Sequence, residues 1–487
     1  MNFIKNMTLR SIYQLVSQFH ENSVVQEYVA TPKGNIFFWL AIALLLSNTS
    51  YLVLLPFMIL TQYFFAQRFW IMGLGGSGVF FYHKLMEMDV TDPLWFVVDI
   101  ILVVVILYIF FKIAQSFSKL PRIVRSNPQI FLHLLFWLCI IPATFFPKAI
   151  DPDWVLPADT IVWLIFSFII WRVGMMLYAG KRGKLQQTHF VEHLFYCLPG
   201  FGGTQVPYGK GSDYLNSKRA NTPTDLIISQ LAGMKLLLLV VFLKCFQEVT
   251  DIVVFGLDGD ITGFSWQLPA HLYAVEDLID MDRSQLPSLV TLWASLIADM
   301  IDETVTLAIR GHLVIGCLRL FGFNVFRNTY KPLLATTLSD FWNRYYYYFK
   351  ELLVDFFFFP VYLSYFKKRP KLRIFAAIMA SAFIGNFYYH FLQHYDKSIR
   401  ANTILEFTNF QSYFFYTFIL GIAIFISLLR EQNRRGQPLS SGSNGWVTIR
   451  KIAGVWLFFA IMRIWDHSNA NFLDDTTFFL ALFGLHI

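Results

Sequence analysis

The sequence predicts an all-α, polytopic integral membrane protein, and three observations carry that expectation. Hydrophobic residues make up 56% of the chain against 15% charged, and the mean hydropathy is +0.50. A soluble surface needs roughly a quarter of charged residues to stay solvated, so lipid must replace water over much of this one. Apolar runs long enough to cross a bilayer recur from Asn35 to the C-terminus. Aromatic residues reach 18%, with 53 Phe and 13 Trp, which suits lipid-facing helices with aromatic belts at the interfaces.

The elements follow in order. Residues 1–34 are polar and mixed in charge, with Ile12, Leu15, Val16 and Phe19 at helical spacing. That pattern fits a segment on the membrane surface rather than a cleavable signal. Apolar stretches follow at 35–66, 94–115, 129–147, 158–179, 226–255, 287–309, 372–394, 408–429 and 451–466. The first is too long for one crossing, and Asn48-Thr49-Ser50 divides it into two short helices. Stretches 68–88 and 473–487 add half-length or full spans. The expectation is about 10–12 membrane helices, several of them short, re-entrant or interfacial.

Charge orients these spans in a plasma or inner membrane. The net charge of +7 resides in loops such as Lys119 to Arg125, Lys181 to Lys184, Lys367 to Arg373 and Arg430 to Arg435. Basic loops face the cytoplasm, whereas the acid-rich stretches 151–153 and 258–282 face outward. No basic aromatic face forms, so nucleic acid is excluded as a partner and membrane lipid takes its place. The four cysteines lie in or beside apolar segments with no metal-ligand spacing, so the expectation is buried small hydrophobes and no metal. Gly73-Leu-Gly-Gly-Ser-Gly78 lacks a P-loop lysine and a βαβ setting, which excludes nucleotide binding there.

One segment breaks the alternation. Both ends of 325–371 are basic and hence cytoplasmic, yet 340–362 is apolar and interrupted by Asn343, Arg344, Lys350, Glu351 and Asp355. A lipid-exposed span does not carry five such groups. These helices are expected along the interface or around a polar cavity. Asp299, Asp302 and Glu303 share a helix, where pairing with Arg310 is the commoner arrangement and lining a tunnel the rarer one.

The span that begins at Arg373 ends in Tyr388-Tyr389-His390, which places His390 roughly 25 Å along the helix axis, beyond mid-bilayer. A neutral imidazole there can take the proton of a hydroxyl as its oxygen attacks a thioester carbonyl. The bland alternative is a histidine bonded to a neighbouring helix or to headgroups. His394 lies on the same face, but with no third ligand a metal pair is disfavoured. Asn386, one turn earlier, is a candidate oxyanion or orienting group, or else a helix–helix hydrogen-bond partner.

Arg319-Leu-Phe-Gly-Phe323, then Phe326 to Pro332, Ser339-Asp-Phe-Trp-Asn-Arg344, Asp355 and Pro360 resemble the membrane-bound O-acyltransferase family. The likeness is to the bacterial branch that includes alginate O-acetyltransferases and the teichoic-acid D-alanylation membrane protein. It covers about 190–400, with weaker matches at Phe195 to Gly203 and Leu231 to Val249, where Lys235 falls near a family lysine. Tyr346 stands where that branch has a second histidine, and His312 falls about where a family aspartate lies.

The resemblance implies a ring of helices around a central tunnel, with a catalytic core over 181–400 between N-terminal helices, 35–180, and C-terminal helices, 401–487. It implies acyl transfer, acetyl or another short group, from a cytoplasmic thioester to a hydroxyl of a secreted or periplasmic glycan or relay protein. His390 and Asn386 would be catalytic. Trp342, Arg344, Tyr346, Lys350, Asp355 and His312 would meet the donor or line the tunnel. No bound cofactor is implied. The donor would be acyl-coenzyme A or an acylated carrier protein, and a periplasmic acyltransferase partner completes the set. A transporter or channel, and an acyltransferase acting on a lipid alcohol, are the competing readings.

Overall fold

The computed structural model describes residues 19–75, 93–145, 161–185, 188–197, 210–256, 259–261, 264–266, 271–392, 410–435, 445–466 and 472–485. Residues 12, 15 and 16, the end of the glycine-rich run, the acidic stretch 151–153, residues 198–203 and His394 lie outside them. The fold is all-α in class. Among the described residues its strands are one short hairpin, Gly259–Ile261 paired antiparallel with Phe264–Trp266.

Among the described residues three helices are long and apolar enough to cross a membrane: Pro223–Val253, Pro370–Leu392 and Gln411–Asn433. Ser23–Ala30 and Pro32–Leu46 would make a fourth crossing only as a broken one, since they meet at 98°. Among the described residues three helices, or four with the bent pair, thus have the length and composition for a crossing, and not every expected stretch is among them. The 287–309 stretch is one that is not. It belongs to the 32-residue helix Leu289–Leu320, whose middle carries Asp299, Asp302 and Glu303. Near the C-terminus, Gly445–Met462 stops at a 3₁₀ turn, Arg463–Trp465, that begins with an arginine. Ser50–Tyr63 is shorter, and Pro93–Gln115 and Pro128–Phe145 are apolar helices as well.

Local chemistry sets the helix ends. Asn22 accepts from the amides of Val24 and Val25, and Thr31 accepts from Gly34 ahead of Pro32. The bend between these helices requires Gly34, because a Cβ there would sit 1.9 Å from the Tyr28 carbonyl oxygen. Pro32–Leu46 then ends before Asn48, where the sequence predicts an interruption, and Leu55–Tyr63 resumes after a 3₁₀ turn.

The chain divides into two compact units, residues 1–242 with 309–327, and 243–308 with 328–487. In the first, residues of the two longest helices cross at Gly233 and Gly316. A Cβ on Gly233 would lie 2.8 Å from the Gly316 carbonyl oxygen. Small residues let backbones approach in this way where lipid supplies no hydrophobic drive. Polar groups at the crossing bond one another. Ser229 donates to the Arg319 carbonyl, Gln230 to that of Leu320, and the Arg319 guanidinium to the carbonyls of Val325 and Ala232.

In the second unit a buried apolar core joins Leu292, Leu296 and Met300 to Phe341, Tyr416, Leu420, Val455, Phe459, Trp465 and Phe478. Segment 328–330 is laced to 344–348. Tyr330 donates to the Arg344 carbonyl, Thr329 to that of Tyr345, and Tyr347 to that of Asn328. These bonds fix the break at Tyr346 between the helices Leu338–Tyr345 and Tyr347–Leu353.

Candidate functional site

Two departures from α-helical winding shape the surroundings of His390. Val354–Phe358, which contains Asp355, and Met379–Gly385 are both π-helical turns. Single π-turns inside α-helices are frequent at functional sites, because they spare backbone groups from the regular ladder and re-aim the residues after them. The two meet where Gly385 lies against the Phe357 ring, 2.6 Å from where a Cβ would stand. Any side chain at 385 would force them apart.

His390 lies two residues before the end of the Pro370–Leu392 span and is half-buried. Its ring stacks on Tyr413 at 4.5 Å and 22°, and its edge meets Tyr389 at 5.9 Å. One turn back, Asn386 is 1% exposed and its Oδ1 has no hydrogen-bond partner. A buried amide oxygen without a donor costs about 1–3 kcal/mol, a debt that a hydroxyl or thiol ligand would settle. Tyr389 packs on Phe349 at 4.4 Å, and Phe349 in turn meets Tyr346 and Trp342. Trp342 and Tyr346 are thereby linked through Phe349 to Tyr389, the chain neighbour of His390.

Trp342 also lines a cavity of about 30 Å³ with Glu303, Tyr345, Tyr416, Arg463 and Asp466. Tyr416 sits one turn from Tyr413 on the Gln411–Arg435 helix, so this single helix serves both the cavity and the histidine. Beside the cavity, Arg463 bonds Asp299 at 2.8 Å. The pairing expected with Arg310 does not form, and Arg310 is exposed. Asp302 accepts from Gln247 at 2.9 Å instead. Asp299 also receives the Val275 amide, which ties the helix Val275–Asp280 to this point.

The remaining expected residues fall elsewhere. Arg344 is bonded to Asp340 at 2.7 Å across one helical turn. Lys350 contacts Glu351 and lies over the Tyr347 ring. Both cations therefore have acids beside them in the chain, an arrangement that serves the helix before any donor phosphate. Asp355 is half-buried within its π-turn. His312 belongs to the first unit, where it is 3% exposed with Nδ1 unpartnered. Among the described residues no group of three or more His, Cys, Asp or Glu could hold a metal ion.

Sequence reasoning missed Tyr413, Tyr416, Arg463 and Asp466. A signal for the last two was present, since an arginine and an aspartate at the end of the apolar run 451–466 mark a functional position by their cost in lipid. No protein-family profile and no curated protein sequence matches this chain. What the fold establishes is a helical protein with helices fit to cross a membrane.

Proposed function

We propose that the chain is a multi-pass membrane O-acyltransferase with His390 as general base. The observation that carries the reading is an imidazole held by stacking on Tyr413, one turn from a buried amide oxygen that lacks a donor. Stacking on Tyr413 fixes the plane of the ring, which orients the imidazole for proton transfer. In the reaction, the acceptor hydroxyl gives its proton to His390 while its oxygen attacks the thioester carbonyl. The carbon–sulfur bond then breaks, and the imidazolium returns the proton to the departing thiolate. Asn386 orients the acceptor or steadies the oxyanion through its amide.

Likeness of 319–360 to the membrane-bound O-acyltransferases supports the same reading and supplies the donor class, acyl-coenzyme A or an acylated carrier protein. It also supplies the acceptor class, a hydroxyl of an exported glycan or relay protein, with a periplasmic partner. A permeation path along 340–355 is less well supported, because Arg344 and Lys350 are each neutralised by a neighbouring acid.

The test is acyl transfer by the purified chain in proteoliposomes, followed by mass spectrometry of the acceptor. His390→Ala is expected to lower turnover by at least about 10²-fold, with the protein still folded. Full activity in that variant would remove the assignment.

A further inference from the structure

We infer that the turn 363–371 is an anchor for anionic phospholipid headgroups. The inference stands apart from acyl transfer. It rests on what this turn exposes and on how its backbone is held.

Every residue of 363–371 is exposed. Three of them are large and apolar: Leu363, Tyr365 and Phe366, at 58%, 60% and 48% exposure. Four cations follow at once, Lys367, Lys368, Arg369 and Lys371. The ion pairs of the described residues engage none of the four. Nor does the sequence hold an Asp or Glu between Asp355 and Asp396. Water alone could solvate the cations, but it does nothing for the leucine and the two rings. The headgroup layer of an anionic bilayer serves both, with phosphates for the charges and an apolar boundary for the side chains between them.

The backbone holds this arrangement in place. The Tyr365 amide donates to the Val361 carbonyl at 3.0 Å, and the Arg369 amide to that of Phe366 at 2.9 Å, which sets Lys367 and Lys368 at the tip. At the foot of the turn the Arg373 guanidinium donates to the Tyr362 carbonyl and lies over its ring at 3.9 Å. That clamp ties the helix Phe359–Ser364 to Pro370–Ile378. Phe366 itself has a φ of 52°. A bulky residue pays for the left-handed region, which glycine or asparagine enters readily. Such outliers point to function when the fold does not repay them, and an exposed ring is not repaid by burial in the core. Its insertion among headgroups would repay it.

The other basic stretches lack this combination. In 119–125 the exposed large apolar residue is Ile123 alone, and no φ is positive. Lys184 is paired with Asp213 at 3.3 Å, and Lys181 donates to the Ser126 carbonyl. Glu431 stands beside Arg430. The turn 363–371 also joins the two helices that carry the π-turns, so a headgroup held there sits at the tip of the hairpin whose arms meet at Phe357 and Gly385.

The experiment is native mass spectrometry of the full chain in detergent, titrated with dioleoylphosphatidylglycerol or dioleoylphosphatidylcholine and no acyl donor. Phosphatidylglycerol is expected to bind at least about 10-fold more tightly. Lys367→Gln combined with Lys368→Gln should weaken it by about 10-fold, with phosphatidylcholine binding and the unfolding temperature unchanged. Lys119→Gln combined with Arg122→Gln removes equal charge elsewhere and should leave it within about 2-fold. Phe366→Asn keeps a residue that tolerates the backbone but deletes the ring, and should weaken phosphatidylglycerol by about 3-fold. Equal binding of the two lipids overturns the proposal. So does full phosphatidylglycerol binding in the Lys367 and Lys368 variant or in Phe366→Asn, or an equal loss in the Lys119 and Arg122 variant. Acyl transfer measured on the parent chain reports separately on His390.

Discussion

The Gly233–Gly316 crossing and the surroundings of His390 use the same raw material, polar side chains set into apolar helices, to opposite ends. At the crossing, Ser229, Gln230 and Arg319 each donate to a main-chain carbonyl, and Arg68 donates to that of Gly322. Around His390 and the cavity, Asn386 Oδ1 and Trp342 Nε1 are buried with nothing to bond. A polar group that finds its partner within the chain stabilises the fold, and one that does not is available to a ligand. His312, on the same helix as Gly316, departs from this pattern with its unpartnered Nδ1.

The sharpest way to break this comparison is to open a closed pair. Asp299→Ala leaves the Arg463 guanidinium without its direct partner and should cost about 3–5 kcal/mol, seen as a large drop in unfolding temperature in detergent. A partner change to Asp299→Ala with Arg463→Met should recover most of that loss; failure to do so would mean the pair matters beyond its charge. Arg319→Ala frees two carbonyls at once and should cost about 3 kcal/mol, whereas Arg319→Lys recovers only part because the fork is lost. Gly233→Ala drives a methyl into the Gly316 carbonyl and should cost about 1–3 kcal/mol, read in the same melt. Smallest of all on stability is Asn386→Leu, expected within about 0.5 kcal/mol of the parent or above it, since an unsatisfied group is removed. Acyl transfer should nevertheless fall by roughly 10²-fold. A destabilised Asn386→Leu with intact turnover would reverse the distinction drawn here.

Composition alone announced the helical class, and Asn48 to Ser50 announced the break before Leu55. His390 was singled out from the sequence because an ionisable group in an apolar run stands out. The fate of the 287–309 stretch was not legible. Hydropathy averages over a window, and it cannot weigh Asp299, Asp302 and Glu303 within an otherwise greasy helix. Nor could the pairing of Asp299 with Arg463 be read, since 164 positions separate them and only the folded second unit brings them together. The aromatic support at Tyr413 was invisible for a related reason: it lies beyond 190–400, where the sequence reading sought the site. The π-turns were missed because a periodicity of 3.6 residues leaves no place for them.

Those turns have an evolutionary corollary. A π-turn arises when one residue is inserted into an α-helix, and each residue advances the helix by about 100°. Excising Ala382 would let Met379 to Gly385 relax into ordinary winding. His390 would then swing by roughly that angle about the axis, away from Tyr413. A single codon gained or lost is thus enough to aim this imidazole or to disarm it, with the span otherwise intact.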